Sequence, residues 1–255
     1  MLVIRPEQMR RFEEAQVERF ADELVSHIEG FAPIQFNSMG KEAVRSTISI
    51  GLKESHRYGF TLRGPVRFYV ELMLMLGSFF DNDPQYRGIT QALFVKDETG
   101  EMIRADRLYD TIIEYVATTS GPQHEYERRA LNRAVQARYE NVIAFAKQPT
   151  SDLVNVLYGV HPEKVQTLGE SAITALVDEA YAMATEYGTS WVIGGPLFAG
   201  LMFTLGHGCF ADRQYPWING TLENAKSDEA AIVLERLFQK FLIFLNQAKS
   251  RLEAR

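Results

Sequence analysis

Leu72-Met73-Leu74-Met75-Leu76-Gly77 and, much later, Leu201-Met202-Phe203-Thr204-Leu205-Gly206 are one phrase written twice: an apolar run closed by glycine, repeated at an offset of 129 residues. The same offset pairs Tyr58-Gly59 with Tyr187-Gly188, Gln85-Tyr86 with Gln214-Tyr215, and Arg107-Leu108 with Arg236-Leu237. It carries Asp83 onto Asp212 and Leu93 onto Leu222. Upstream it carries Leu24-Val25 onto Leu153-Val154, Pro33 onto Pro162 and Gly40 onto Gly169. The register needs no gap between about residue 24 and about residue 116. Similarity of this kind means repeated structural units, here two large ones and not a solenoid.

Both runs read as buried helix. Gly77 and Gly206 follow the last apolar residue, where a helix commonly ends in a left-handed cap that glycine adopts without a Cβ penalty. The rest of the chain is helical in pattern too. From Pro6 to Ile28, Met9, Phe12, Phe20, Leu24 and Ile28 recur at helical spacings, and Pro6 suits a first turn. A second helix is expected over Lys41–Tyr58, a third over Pro65–Leu76 and a short one near Gln85–Phe94. Asp97–Gly100 reads as a polar loop. A further helix carries Leu108, Ile112, Ile113, Tyr115 and Val116. Thr118-Thr119-Ser120-Gly121-Pro122 is the best boundary. A long helix from about Gln123 to Ala146 is then expected, followed by Glu170–Tyr187, Pro196–Leu205 and a C-terminal helix from Asp228 with Ser227 as its cap. That last helix is apolar almost all round near Phe241–Leu245, so it is either central or covered by a partner. No strand signal exceeds the four apolar residues at the start. The expectation is an all-α protein: two tandem, duplicated units, residues 1–120 and 121–255, packed as one body with pseudo-two-fold symmetry.

Composition narrows the function. The 255 residues are 46% hydrophobic and 24% charged, ordinary for a globular chain, with a net charge of −6. An acidic balance argues against nucleic acid as the main partner, because phosphate binding needs a basic surface. A single cysteine excludes an internal disulfide and a cysteine-based zinc site, and suits a reducing cytoplasm. The N-terminus turns charged after four apolar residues and does not read as a secretory signal. Trp191–Ala211 runs without a formal charge, long enough for a membrane span. Gly194-Gly195-Pro196 breaks it, and its counterpart, Leu62–Asn82, carries Arg63, Arg67, Glu71 and Asp81. Related helices do not occupy such different solvents, so both are expected in a protein core.

The candidate chemistry is thin. Asp81, Asp83 and Gln85 form the richest polar cluster, but a calcium loop would need glycine where Tyr86 stands and glutamate where Ala92 stands. Asp81 falls opposite Phe210, and only Asp83 has an acidic counterpart. Asp83 and Asp212 are therefore expected to cap the helices that follow them. His207 and Cys209 could supply half a metal site or an axial haem ligand, but no second ligand pair exists among His27, His56, His124 and His161; no cofactor is expected. Ser38-x-x-Lys41 matches a bare nucleophile spacing whose counterpart, Thr167-x-x-Glu170, reverses the charge. Met73, Met75 and Met202 are expected in the core. No phosphate loop, dinucleotide fingerprint or nucleophile elbow is present, and catalytic residues are none.

The opening Ile4-Arg5-Pro6-Glu7-Gln8-Met9-Arg10-Arg11-Phe12, with Tyr58-Gly59-Phe60, Tyr69–Gly77 and Phe80-Asp81-Asn82-Asp83-Pro84, resembles uncharacterised bacterial proteins encoded beside type VI secretion spike, PAAR-tip and toxic-effector genes. The resemblance covers about residues 2–90 and survives later in Leu201–Gly206 and Asp212–Trp217. It implies an accessory role, as an adaptor or co-chaperone for an effector, with immunity against a cognate toxin as the rival and haem or small-ligand binding as a third reading. The implied partners are the effector, adaptor or spike protein of the same gene cluster. Arg5, Glu7 and Gln8 are the residues expected to bind protein.

Overall fold

Proline lacks the N–H that the first turn of a helix leaves unpaired, and Pro6 opens α1 (Pro6–Phe31) in this computed structural model, which describes residues 5–94, 100–223 and 229–254. Pro33 opens α2 (Pro33–Met39) in the same way, and Gly40, at φ 79°, turns the chain into α3 (Lys41–Arg57). α4 (Arg63–Leu76) carries the apolar run Leu72–Leu76. A 3-10 turn at Pro84–Tyr86 leads into α5 (Arg87–Phe94), and α6 (Glu101–Ser120) completes the first half. The second half runs through α7 (Glu125–Ala134), α8 (Tyr139–Ala144), α9 (Thr150–Val160), α10 (Pro162–Leu168), α11 (Glu170–Glu186), α12 (Gly195–Leu205), α13 (Pro216–Glu223) and α14 (Ala230–Glu253). The described residues are all-helical and contain no strand.

Burial follows the helices and not the chain length. Ala21, Leu24, Val25 and Ile28 of α1 pack with Val44, Ile48, Val70 and Leu74. The other side of α4, through Tyr69, Leu72, Met73 and Leu76, faces Phe60, Phe80, Leu108 and Ile112. In the second half one cluster gathers α9, α11, α12 and α14, with Ile173, Leu176, Leu201, Met202, Leu234 and Leu237 at its centre. Leu168 at the end of α10 packs against the cores of both halves. No described helix is long and apolar enough to cross a membrane. α12 is apolar all round because it is enclosed by protein, with Leu201, Met202 and Leu205 buried.

Four expectations need correction. Residues 123–146 are not one helix: Gln123 and His124 take positive φ, and a turn near residue 136 separates α7 from α8. α7 packs on α9 and α14 while α8 packs on α12, and one straight rod cannot follow both. Met9 and Phe12 are not core residues; residues 6–19 are all exposed, because α1 runs past the edge of the helices it packs on. Met75 is exposed on the outer side of α4, unlike Met73 and Met202. Ile113 and Ile243 also face outward from their otherwise well-packed helices. The expectations for Met1–Ile4, Asp97, Ser227 and Asp228 lie outside the described residues.

Candidate functional site

α4 and α12 each end in a glycine of positive φ, 100° at Gly77 and 93° at Gly206, a conformation glycine alone adopts freely. A short turn follows each glycine and delivers an aspartate. Asp83 Oδ1 accepts the N–H of Gln85 at 2.9 Å, and Asp212 Oδ1 accepts that of Gln214 at 3.0 Å. Asp83 thereby caps the 3-10 turn Pro84–Tyr86, and Asp212 closes the turn that precedes α13. The second oxygen of each crosses to the other half: Asp83 Oδ2 accepts the His207 N–H at 2.7 Å, and Asp212 Oδ2 accepts the Ser78 N–H at 2.7 Å.

The glutamines cross as well. Gln85 Nε2 donates to the Met202 carbonyl at 3.1 Å, and Gln214 Nε2 donates to the Met73 carbonyl at 2.7 Å. Those carbonyls lie in the last turns of α12 and α4 and already accept the N–H of Gly206 and Gly77, so each glutamine adds a second donor to the same oxygen. Each half thus hydrogen-bonds the end of the other's central helix.

The two sides differ in detail. Ser78 Oγ donates to Asp212 Oδ1 at 2.7 Å. The His207 ring instead pairs Nδ1 with Glu179 Oε1 at 2.7 Å and Nε2 with Asn82 Oδ1 at 2.9 Å. Asp81 accepts from the Tyr58 hydroxyl at 2.7 Å, whereas Phe210 packs its ring 4.5 Å from Phe198. Gln85 Oε1 is buried without a partner.

Two charges are strained by burial. Burial raises the Asp83 carboxyl above the ordinary carboxylate range, partly offset by the donors of Gln85 and His207. Lys164 on α10 is buried, and burial lowers its ammonium to about 8, with the Asp83 charge acting the other way. Its Nζ donates to the Phe203 carbonyl at 2.5 Å and lies 4.5 Å from the Phe203 ring centre. Burial also raises the Cys209 thiol well above its usual value, which keeps it from acting as a thiolate nucleophile at neutral pH.

The chemistry of this crossing is spent inward. The crevice between Gly77–Phe80 and Gly206–Cys209 has no room for a water molecule, and both carboxylates are saturated by donors from the chain. Both ring nitrogens of His207 are engaged. Among the described residues no group of three or more His, Cys, Asp or Glu side chains is placed to hold a metal ion. Ser38 and Lys41 flank Gly40 on the exposed α2–α3 turn.

Arg5, Glu7 and Gln8 form a separate group on the exposed first turn of α1. Gln8 Oε1 accepts the Arg5 N–H at 3.0 Å, one limb of a capping box. The other limb is missing, because a guanidinium has no acceptor. Glu7 sits at the positive end of the helix dipole. Sequence reasoning missed Lys164 and Arg104. Arg104 is buried on α6, donates to the carbonyls of Tyr58 and Gly59 at 2.7 and 3.1 Å, and lies over the Phe60 ring. The signal was available: a lone cation beside Ala105 on an otherwise apolar helix face. In comparisons with protein-family models, curated proteins and solved structures, nothing matches this chain.

Proposed function

We propose that the chain is a duplicated helical scaffold, two copies of one unit related by a pseudo-two-fold axis through the Gly77–Gly206 crossing, and that it works by binding protein, not by catalysis. Helix ends support the duplication. α2 and α10, α3 and α11, and α5 and α13 begin and finish 129 residues apart; so do the ends of α4 and α12 and the starts of α6 and α14. The crossing bonds obey the same offset: Asp83 to His207 against Asp212 to Ser78, and Gln85 to Met202 against Gln214 to Met73. A third pair lies within the halves, Gln35 Nε2 to the Leu74 carbonyl at 3.5 Å against Lys164 Nζ to the Phe203 carbonyl at 2.5 Å.

One observation carries the non-catalytic reading: the richest polar cluster in the chain is consumed in joining the halves, with no space left for a substrate. Apolar side chains also face outward, Phe12, Leu62, Phe94 and Tyr109 among them, the kind of residue that marks interaction sites when contiguous. The resemblance of the opening and of the Tyr58–Pro84 block makes the partner an effector, adaptor or spike protein of a type VI gene cluster, with this chain as adaptor or co-chaperone. The test is deletion of the gene with effector level, effector delivery and self-intoxication measured separately. Loss of delivery from unharmed cells supports the adaptor. Self-killing that the gene suppresses replaces it with an immunity protein, and turnover of a substrate by the purified chain overturns the non-enzymatic reading.

A further inference from the structure

The outer furrow between α4 and α6 is apolar and uncovered. Phe68 of α4 and Tyr109 of α6 meet there, with ring centres 5.8 Å apart. Met102, Tyr109 and Ile113 recur at helical spacing along one side of α6, and all three are exposed. Met75 falls on the same side of α4 as Phe68 and is exposed too. At the 129-residue offset, Phe68, Tyr109 and Ile113 correspond to Leu197, Phe238 and Leu242. Those residues line a furrow that is filled: Leu197 is 2% exposed and Phe238 3%, where Tyr109 is 52%.

The filling is helical. α7 packs on α14 and α8 packs on α12. Leu131, Ala134, Val135, Tyr139 and Val142 are the apolar residues they set against the second core. The Tyr139 ring centre is 5.7 Å from that of Phe238, and its hydroxyl donates to the Ala231 carbonyl at 3.1 Å. This internal cover is also basic: residues 128–139 hold Arg128, Arg129, Arg133 and Arg138 and no acidic residue. The open furrow has an acidic rim. Asp106 and Asp110 are exposed, Asp106 one turn after Met102 and Asp110 one turn before Ile113, with Glu114 next round the helix. Arg107 lies about 120–160° round α6 from the apolar stripe. On the α4 side Arg63 pairs with Glu23 and Arg67 with Glu71, so that rim is charge-balanced.

We propose that the α4–α6 furrow seats an amphipathic helix of a partner protein, apolar on one side with arginine or lysine beside it, as α7 and α8 fill the α12–α14 furrow within the chain. This rests on the protein-binding and duplication readings above and gives the first of them a surface. A helix laid in a groove is held through apolar anchors at i, i+3, i+4 and i+7. Met102 to Ile113 spans about 16 Å, room for about three helical turns. The apolar stripe holds the segment, and the acidic rim selects a basic one. Rim charges act mainly on encounter and on choice of partner, so binding weakens as salt is added.

The probe is a fluorescent peptide with the sequence of residues 125–144, added to the full chain and followed by anisotropy. Binding should be saturable and should weaken with salt. Tyr109→Asp should weaken it by about tenfold or more with an unchanged helical spectrum and melting temperature, because Tyr109 is exposed. Ile243→Asp, at an exposed apolar residue of α14, should leave binding as it was. A peptide with its four arginines changed to glutamate should fail on wild type and bind the Asp106→Lys, Asp110→Lys double variant. Absence of saturable binding overturns the proposal, as does binding that Tyr109→Asp leaves intact. Equal binding of the two peptides to wild type overturns the basic partner. A full chain that sediments as a dimer, and as a monomer once Tyr109→Asp is made, gives the furrow to a second copy and overturns it too. None of these failures touches the protein-binding reading, which gene deletion decides.

Discussion

Gly77 and Gly206 lie against each other, so that a methyl group on Gly77 would come within 2.8 Å of the Leu205 carbonyl oxygen and one on Gly206 within 2.7 Å of the Leu76 carbonyl oxygen. Two helix ends meet here backbone to backbone, which no side chain permits. The close approach is what brings each aspartate within reach of the opposite N–H, and each glutamine within reach of the opposite carbonyl. Sequence, cap and interface are one feature: the glycine that ends the helix is also the point through which the halves are joined.

Gly77→Ala and Gly206→Ala should therefore each destabilise the protein beyond the ordinary cost of an alanine held at positive φ, which is about 1–3 kcal/mol. The added methyl meets backbone, which cannot swing aside. Chemical denaturation should show a loss exceeding that range for both variants. Gly88→Ala is the control, since a methyl there meets nothing within 4 Å and a helical alanine should be neutral or better. Equal stability of Gly77→Ala and wild type would contradict the crossing.

Asp83→Ala should strand the N–H groups of Gln85 and His207 in a buried place. At about 1–3 kcal/mol for each orphaned donor, the loss should reach about 2–6 kcal/mol. Asp212→Ala should cost a comparable amount through Gln214 and Ser78. Because both variants open the same interface, the double variant should lose less than the sum, by about 0.5–3 kcal/mol. Strict additivity in this cycle would mean the two carboxylates do not share one interface.

The 129-residue register pointed to the helix ends in advance, because closing glycines are local features with a one-residue signature. It could not reveal that Gly77 meets Gly206, since an offset states which residues correspond and not which touch. Met9 and Phe12 misled for a related reason: helical periodicity reports a face that can be buried, and burial depends on whether another element reaches that far. Lys164 was unreadable because the residue 129 positions earlier, Gln35, shares only the ability to donate a hydrogen bond. The break between α7 and α8 came from two separate packing demands that no periodicity encodes.

Cys209 should resist thiol reagents in the native protein, since it is 1% exposed and burial raises its thiol well above the usual value. Labelling should proceed only as the chain unfolds and should track the loss of helical signal. Fast native labelling would place the sulfur at the surface and break the packing described around Phe210.

Lys164 gives the fold a stability that depends on pH. Its folded value of about 8 lies below the ordinary 10.5. Below about 8 the ammonium is charged in both the folded and unfolded states, and the full cost of burying it is present. As pH rises from about 8 to 10.5 the folded state gives up the proton first, so the unfolded state binds more protons and stability rises. A shift of that size corresponds to on the order of 3 kcal/mol. Tyrosines such as Tyr86, whose ionisation burial opposes, pull the other way near the top of that window, so the informative quantity is a difference between variants. Lys164→Gln should keep a donor for the Phe203 carbonyl, as Gln35 does for Leu74, while removing the charge. Denaturant midpoints measured across this range should show the variant gaining on wild type at neutral pH and losing that advantage as pH rises. Parallel curves for the two proteins would mean that the folded state does not hold Lys164 below its ordinary value.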